Sequence, residues 1–519
     1  MPERRSAREI LALVTDPGTF AELPSPARES KPEGPLAWQG YDASRARAAA
    51  RTGEEESVVC GTARVDGTPA VLIAFEFGYL GGSLGERTGD RLEAAYGHAR
   101  EHRLPVVPLV ATGGSRMQEG MLALTQLQRV ARQSALTREA GLPQIAVLRD
   151  PTTGGGWATL GAGADVVLAL PDAQVGFAGS RVRPADADPT AYTAEAQVAA
   201  GAADAVVAPE ELKGVLGAWL RLLTGRAAGQ RSTAADTTAE PADAAGLFGD
   251  AGASGCGGGL PGPHAAGAVG GGDTVADQGA PPAGARDARE SRIAPAPVPH
   301  ALGDTGLPAT GWDAVQRARA PERPRAQAYL DAYFAHRVAL SGDRCGGTDT
   351  EGMLCGFGER DGRTVAYAAQ TGAATRPAGY RTAARLIRLA DRLGIPVLTL
   401  VDTPGAANDA EAERQGAGPA IAEVFGAVAA ARVPVTTLVI GEGGSGGALA
   451  LAAPGNTWAT PDSYFSVIAP ELAAAILKRP QEEVEATAEH LRIRPQDLVE
   501  LGVIRGIAQV QVTSSPPPE

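Results

Sequence analysis

The sequence predicts an α/β protein made of two tandem domains that are related by internal duplication. Segments typical of buried strands alternate with helical segments along most of the chain, which is typical of mostly parallel sheets. Proline landmarks also repeat: 38 residues separate Pro105 from Pro143, and 38 separate Pro396 from Pro434. The glycines that follow these prolines keep the same offset of 291 residues, so the two copies align without a gap. A fixed offset shared by several landmarks indicates duplication.

The first domain is expected to span residues 1–224 and to begin with two short helices. Asp66-Gly67 is a two-residue hairpin signal between two strands. Helices and strands then alternate, and two of the strands end in the turns at Gly114 and Gly154. Helices are predicted at about 7–14, 44–52, 89–102, 118–140, 191–200 and 210–224, and strands at about 57–65, 69–77, 166–170 and 174–177.

Residues 225–307 are predicted to form a flexible linker, because they are rich in Gly, Ala and Pro and have no hydrophobic periodicity. The second domain, 308–519, repeats the plan of the first. It has a hairpin signal at Asp361-Gly362, and its strands end near Gly405 and Gly447. Its main helices are predicted at 378–393 and 416–431.

Composition excludes several classes of protein. The chain has 519 residues, of which 44% are hydrophobic and 21% charged, so it can bury sizeable cores. A net charge of −13 argues against a nucleic-acid partner or an anionic membrane surface. The sequence has neither a signal-peptide pattern nor an apolar run long enough to span a membrane, so we expect a cytoplasmic protein.

Cysteine spacing predicts neither a zinc site nor a disulfide framework. No two cysteines form a C-x-x-C pair, so the chain has no zinc ribbon and the thiols are interpreted as inert. The cysteines are Cys60, Cys256, Cys345 and Cys355.

Two glycine turns are the candidate sites for chemistry. One lies at Gly154-Gly155 and the other at Gly446-Gly447, each between a strand and a helix. Main-chain N–H groups at a helix start favour an anion, so each turn is a candidate oxyanion hole. The sequence offers no serine-nucleophile motif, no metalloprotease motif, no P-loop and no histidine cluster. Two oxyanion holes without a nucleophile suit a reaction in which both substrates become enolate-like.

Both domains carry motifs that resemble a known family. The first contains TGGSRMQEG (112–120), DPTTGG (150–155) and GFAGSR (176–181), which resemble the beta subunit of the bacterial acetyl-CoA carboxylase carboxyltransferase. The second contains GYR (379–381), DTPGA (402–406), IGEGGSGGALA (440–450) and SVI (466–468), which resemble its alpha subunit. The resemblance covers nearly everything except the linker.

The resemblance implies a crotonase-like spiral of ββα units in each domain and a site between them. It implies that Gly154 and Gly155 hold the thioester oxygen of acyl-CoA as an enolate forms, and that Gly446 and Gly447 hold the ureido oxygen of carboxybiotin. The product would be malonyl-CoA or an analogue, for fatty-acid or polyketide biosynthesis. Further residues are assigned in the same way: Gly113, Gly114, Arg116, Gly179 and Arg181 to acyl-CoA, and Gly405, Ala406 and Ser445 to carboxybiotin.

The resemblance also implies partners. None of the three lysines lies in a biotinylation motif, so carboxybiotin would arrive on a separate carrier protein charged by a biotin carboxylase, and we expect at least a homodimer. The chain departs from the family at Gln370-Thr371-Gly372-Ala373, where alpha subunits usually have Gln-Lys-Gly-Arg. The four-cysteine zinc ribbon usual in beta subunits is also missing.

Alternative interpretations stay open at this point. A biotin-independent decarboxylase or carboxyltransferase acting on a malonyl thioester would use the same oxyanion hole. A non-catalytic scaffold has no need for two intact turns, and a dinucleotide site rests only on the G-x-G-x-x-G spacing at 441–446. Arg116, Arg181 and Arg381 would contact CoA phosphates or form ion pairs, with ion pairs favoured. Trp157 is interpreted as a core aromatic.

Overall fold

The computed structural model describes residues 4–29, 31–229 and 293–509. We call residues 4–229 the first half and residues 293–509 the second half. Within the described residues, each half is built around one eight-stranded, mostly parallel sheet. The two sheets have the same plan, as the internal repeat predicts.

The first half starts with two helices and an antiparallel hairpin, and then alternates helices with parallel strands. Asp66 and Gly67 both have positive φ angles, which a two-residue hairpin turn requires. The sheet order is β1-β2-β3-β4-β5-β6-β8, with β7 paired to the end of β5. The helices are α1 (Ala7–Val14), α2 (Tyr41–Thr52), α3 (Glu86–His102), α4 (Gly120–Leu124), α5 (Gln126–Glu139), α6 (Gly154–Gly156), α7 (Ala194–Ala199) and α8 (Pro209–Gly229). The strands are β1 (Ala21–Glu22), β2 (Val58–Val65), β3 (Thr68–Phe75), β4 (Val106–Thr112), β5 (Ile145–Thr153), β6 (Val166–Ala169), β7 (Val175–Gly176) and β8 (Ala205–Val206).

The second half has the corresponding sheet order, β16-β14-β13-β12-β11-β10-β9, with β15 paired to the end of β13. Asp361 and Gly362 form its hairpin turn, again with positive φ angles. The strands are β9 (His336–Ala339), β10 (Met353–Arg360), β11 (Arg363–Gln370), β12 (Val397–Thr403), β13 (Val435–Gly444), β14 (Thr457–Ala459), β15 (Tyr464–Ser466) and β16 (Gly506–Ile507). The helices are α9 (Gly311–Arg319), α10 (Ala326–Tyr333), α11 (Pro377–Leu393), α12 (Ala410–Arg414), α13 (Ala417–Ala430), α14 (Ser445–Leu449), α15 (Pro470–Ile476), α16 (Val484–His490) and α17 (Pro495–Glu500).

The internal duplication predicted from the sequence extends to the bounds of the elements. Shifting α3, β4 and α5 by 291 residues gives both ends of α11, β12 and α13. The repeat therefore assigns each residue of one glycine turn an equivalent in the other.

The two halves share one hydrophobic core. A single cluster of buried residues contains Leu127 and Val130 from α5 together with Ile421 and Phe425 from α13. Hydrogen bonds also cross the boundary: Gln128 Nε2 donates to the carbonyl of Ala452 over 2.7 Å, and Arg132 Nη1 donates to Ala429 O over 2.7 Å. The halves are thus packed together through α5 and α13.

Some predicted elements differ from the structure. The helix predicted at 118–140 is divided into α4 and α5 at Thr125, and Gly120, with φ +54°, separates α4 from the residues before it. Most of the predicted linker, 225–307, lies outside the described residues. The last residues of the predicted linker are packed into the fold, because Ala296 and Ala301 are buried in a core cluster of the second half. The described residues of that half begin at Ile293, within the predicted linker.

Candidate active site

The first glycine turn joins β5 to α6. Gly154 has φ +65°, a left-handed conformation that glycine adopts without the strain of a Cβ. Just before it, the amide of Thr152 donates to Gln174 O over 2.8 Å, and amides two residues apart face the same neighbouring strand. The Gly154 amide is therefore directed toward β7. Gly155 lies in α6, and the first amides of a helix have no acceptor within it.

Three of the predicted site glycines lie around this turn. A Cβ built on Gly154 would lie 3.4 Å from Gly114 Cα, and one built on Gly179 would lie 3.4 Å from Thr153 Oγ1. The amides of Gly113 and Gly114 bind within the protein itself. They donate to Gly81 O over 2.9 Å and to Thr112 Oγ1 over 3.0 Å. Gly113 and Gly114 thus allow close approach of the chain but do not offer amides to a substrate.

The second turn repeats this arrangement between β13 and α14. Ser445, the equivalent of Gly154, has φ +54°, and Gly405, the equivalent of Gly114, has φ +143°. The Gly405 amide donates to Thr403 Oγ1 over 3.2 Å, as the Gly114 amide donates to Thr112 Oγ1. Both turns therefore have the same backbone plan.

The repeat aligns the first turn one residue before the pair predicted for the second turn. Gly154-Gly155 corresponds to Ser445-Gly446, not to Gly446-Gly447. A Cβ on Gly447 would lie 2.5 Å from Ala406 N and 2.6 Å from Tyr380 Oη, so this glycine lets α14 pack on its neighbours. Ala406 thus lies beside the turn as a packing neighbour.

Leu127 lies next to both turns. A Cβ built on Gly155 would lie 2.2 Å from Leu127 Cδ1, and one built on Gly446 would lie 3.8 Å from the same atom. Phe177 adds a second contact, because its Cζ would lie 3.5 Å from a Cβ on Gly446. Leu127 thus lies beside both turns of a single chain, and Phe177 packs beside the second turn.

Two family models match the chain and together cover most of it. The model described as "Carboxyl transferase domain" matches residues 35–225. The model described as "Acetyl co-enzyme A carboxylase carboxyltransferase-like" matches residues 307–515.

Curated relatives match nearly the whole chain. The acetyl-coenzyme A carboxylase carboxyl transferase subunits beta/alpha of Salinispora arenicola is 36% identical over 520 residues, covering 97% of this chain and 82% of the relative. This chain belongs to the acetyl-CoA carboxylase carboxyltransferase family. A probable biotin-dependent acyl-coenzyme A carboxylase beta3 subunit of Mycobacterium bovis is 30% identical over 511 residues, covering 96% of this chain and 88% of that one.

A solved structure also aligns with this carboxyltransferase along its length. Transcarboxylase 12S does so with a TM-score of 0.36 and 19% identity, covering 98% of this chain and 87% of that one. The family match confirms the resemblance noted in the sequence, the carboxyltransferase class and the tandem crotonase-like fold.

Arg116 of the carboxyltransferase forms an ion pair, the alternative favoured from the sequence over the acyl-CoA contact that the resemblance implies. Its side chain is 1% exposed, and its Nη1 lies 3.1 Å from Glu56 Oε2 and 3.3 Å from Glu119 Oε1. Burial favours the neutral guanidine, but the neighbouring Glu56 carboxylate outweighs this and raises the pKa of Arg116. Arg116 is therefore a buried ion-pair residue rather than a ligand for CoA phosphates.

The other arginines differ in their surroundings. Arg181 is exposed. Arg381 pairs with Asp343, Nε to Oδ2, over 2.8 Å, which agrees with the favoured ion-pair interpretation. Trp157 is fully buried, and its ring fits against Gly418 of the second half, where a Cβ would lie 2.0 Å from Nε1. Trp157 is thus a core residue between the halves.

The sequence interpretation missed Glu413. This residue of α12 is 1% exposed, and its Oε1 accepts hydrogen bonds from the amides of Phe177 over 2.7 Å and Ala178 over 3.1 Å. Burial raises the pKa of Glu413 to about 7. The sequence carries no signal for this contact, because donor and acceptor are more than 230 residues apart.

A cleft of about 480 Å³ lies between the halves on the side of α14. We call it the interdomain cleft. Its wall includes Ala450, whose amide donates to Gly446 O over 3.0 Å, so it begins one helical turn from the second glycine turn. Its first-half side is lined by Leu122, Thr125 and Gln128, and its second-half side by Ala452, Pro454 and Val503.

Within the described part of the chain, no group of three or more His, Cys, Asp or Glu residues could hold a metal ion. None of the helices described there combines the length and apolar character that crossing a bilayer requires. Cys60 and Cys355 are buried and Cys345 is exposed, all as free thiols.

Proposed function

We propose that this chain moves a carboxyl group from carboxybiotin on a separate carrier protein to the α-carbon of an acyl-CoA. Malonyl-CoA or an analogue would be the product. The observation that carries the proposal is the meeting of two glycine turns at Leu127, which would bring two substrates to one reacting centre. When bound, carboxybiotin supplies CO2 and, after its release, the base that takes the α-proton.

The first turn would bind the acyl-CoA. The Gly155 amide, at the positive end of α6, would donate to the thioester oxygen as the α-proton leaves and negative charge collects there. Gly154 would make the bend, and Gly114 would leave room for the substrate chain. Holding this oxygen more strongly as it becomes charged is what lowers the barrier.

The second turn would bind the carboxybiotin side. The Gly446 amide stands where the repeat places the equivalent of Gly155, so its donor fits a ureido oxygen that gains charge when CO2 departs. Ser445 would make the bend, and Gly405 would keep the neighbouring chain close. We propose that the carrier's arm approaches through the interdomain cleft, whose volume suits a small-molecule group.

A second candidate is biotin-independent decarboxylation of a malonyl thioester. It is favoured by the second half, where Gln370 uses its Nε2 to bind Gly447 O over 3.2 Å and Thr371 stands where the family has a lysine. The first turn alone would stabilise the enolate left by CO2 loss.

One assay separates these functions. The purified chain is treated with avidin resin, given malonyl-CoA with or without biocytin, and followed for acetyl-CoA. Carboxyl transfer predicts acetyl-CoA only with biocytin, whereas decarboxylation predicts it without. Acetyl-CoA from neither mixture, with methylmalonyl-CoA also inert, would contradict both proposals.

A mixing experiment tests whether one chain supplies both turns. Gly155→Ala and Gly447→Val each put a Cβ where the structure has no room, and each should inactivate one turn. If the site forms within one chain, mixing the two variants restores nothing. Recovery of about a quarter of parental activity would mean that the turns come from different chains.

A further inference from the structure

Glu413 joins the two halves at the segment that touches both turns. Its carboxylate belongs to the second half, yet it accepts two main-chain N–H groups of the first half, at Phe177 and Ala178. A Cβ on Gly176 would lie 3.2 Å from Glu413 Oε1, so this glycine keeps the position open for the carboxylate. Both halves therefore contribute to this contact: the second supplies the carboxylate, and the first supplies the amides and the space.

The segment that Glu413 holds contacts both turns. The Phe177 ring lies against Gly446, and Gly179 lies against Thr153, the residue before Gly154. A displacement of this segment would change both neighbours together. Displacements of about 1 Å at positioning groups can cost on the order of 100-fold in rate.

Neighbouring groups hold the segment at other points. Arg183 Nε donates to Ala178 O over 3.0 Å, and Asn408 Nδ2 of the second half donates to Val182 O over 3.0 Å. The Tyr192 hydroxyl donates to Asn408 O over 2.7 Å. None of these contacts replaces the acceptor that Glu413 provides for the Phe177 amide.

We infer that Glu413 is a positioning residue of this site: by fixing the Phe177 and Ala178 amides from the other half, it sets the spacing of the two glycine turns. The inference rests on the proposed function, in which both turns serve one reaction. Glu413 itself touches no reacting atom in this scheme.

The test compares Glu413→Ala, Glu413→Gln and the matched control Glu411→Gln, an exposed carboxylate on the same helix. Amide hydrogen exchange is measured over 176–183, together with kcat and KM for malonyl-CoA and for biocytin. We expect Glu413→Ala to expose the Phe177 and Ala178 amides and to lower kcat/KM for both substrates on the order of 100-fold, the cost of misplaced positioning groups. Glu413→Gln, which keeps an acceptor oxygen, should recover most of the loss.

The outcomes separate this inference from the proposed function. If the parent transfers no carboxyl group, the proposed function fails. The positioning role of Glu413 is then still tested by amide hydrogen exchange at residues 177 and 178 and by acetyl-CoA binding. Unchanged exchange in Glu413→Ala would overturn the inference. So would a variant whose melting temperature falls while kcat/KM for both substrates, or acetyl-CoA affinity, stays at the parental value, because that pattern marks a purely structural role.

Discussion

The two glycine turns share one backbone but differ in what surrounds them. Behind the first turn, Trp157 packs into Gly418 of the other half and Glu413 binds the neighbouring loop. Behind the second turn, the residue equivalent to Trp157 is Ala448, and the position equivalent to Glu413 is Leu122, which lines the interdomain cleft. We call the packed surroundings of the first turn the filled side, and the interdomain cleft beside the second turn the open side.

This difference shows that two copies of one backbone can have different surroundings. Both halves keep the strand-turn-helix geometry, because that geometry depends on the backbone. Side chains at equivalent positions differ in size, so contact across the halves closes one side and leaves space on the other. We propose that the filled side fixes the acyl-CoA turn and that the open side admits the carrier's arm.

The largest expected effect comes from adding the same methyl group to each turn. Gly155→Ala would put a Cβ 2.2 Å from Cδ1 of Leu127, a fully buried residue. Gly446→Ala would put a Cβ 3.5 Å from Phe177 Cζ. We expect kcat/KM for biocytin-dependent transfer to fall on the order of 100-fold for Gly155→Ala and only about threefold for Gly446→Ala. Equal losses of kcat/KM would show that the two turns are equally crowded. Circular dichroism of both variants is the control for folding.

Removing the charge of Glu413 should change how stability depends on pH. The pKa of Glu413 is raised by burial to about 7 from 4.5, so its contribution to stability is full below about 4.5 and is lost as pH rises through about 7. Gln cannot ionise. From pH 5 to pH 8, the unfolding free energy of Glu413→Gln should therefore gain up to about 3 kcal/mol relative to the parent.

Urea denaturation at both pH values measures this difference. Glu411→Gln is the control and should show little change, because Glu411 is exposed. A constant difference between Glu413→Gln and the parent would mean that the carboxylate is well solvated, and that the filled side is less closed than its contacts indicate.

The sequence predicted the elements that repeat and missed the contacts that do not. Hairpins at Asp66-Gly67 and Asp361-Gly362 were predictable because their turn chemistry is local. The turns at Gly154 and Gly446 were predictable because they follow apolar strands. Glu413 could not be found in this way, because its burial depends on packing between halves.

Arg116 shows that a family motif alone does not give the direction of a side chain. The family motif places it next to Gly113-Gly114, which suggests a ligand contact, but its side chain turns into the core toward Glu56. Sequence neighbours of a site glycine can point away from the site, and only tertiary packing decides the direction. Likewise, the choice of Gly447 followed a glycine pattern, whereas the repeat register identifies Ser445-Gly446.

Filling the open side should affect one substrate only. Val503 lines the interdomain cleft, so Val503→Trp would occupy part of it without touching either turn. We expect KM for biocytin to rise about tenfold and KM for malonyl-CoA to stay within about twofold. Val499→Trp, at a position that is 39% exposed, is the control. A rise in KM for malonyl-CoA instead would assign the cleft to the acyl-CoA.

The smallest effect concerns the one residue type that differs at the bend itself. Ser445 adopts φ +54° with a Cβ, whereas Gly154 adopts φ +65° without one. Left-handed backbone costs a residue with a Cβ about 1 kcal/mol, so Ser445→Gly should stabilise the protein by about that amount and Gly154→Ser should destabilise it similarly. Chemical denaturation of both variants measures the pair. If Ser445→Gly is instead destabilising, its hydroxyl must supply a contact at the second turn that the first turn lacks, and the two bends would then differ in chemistry as well as in strain.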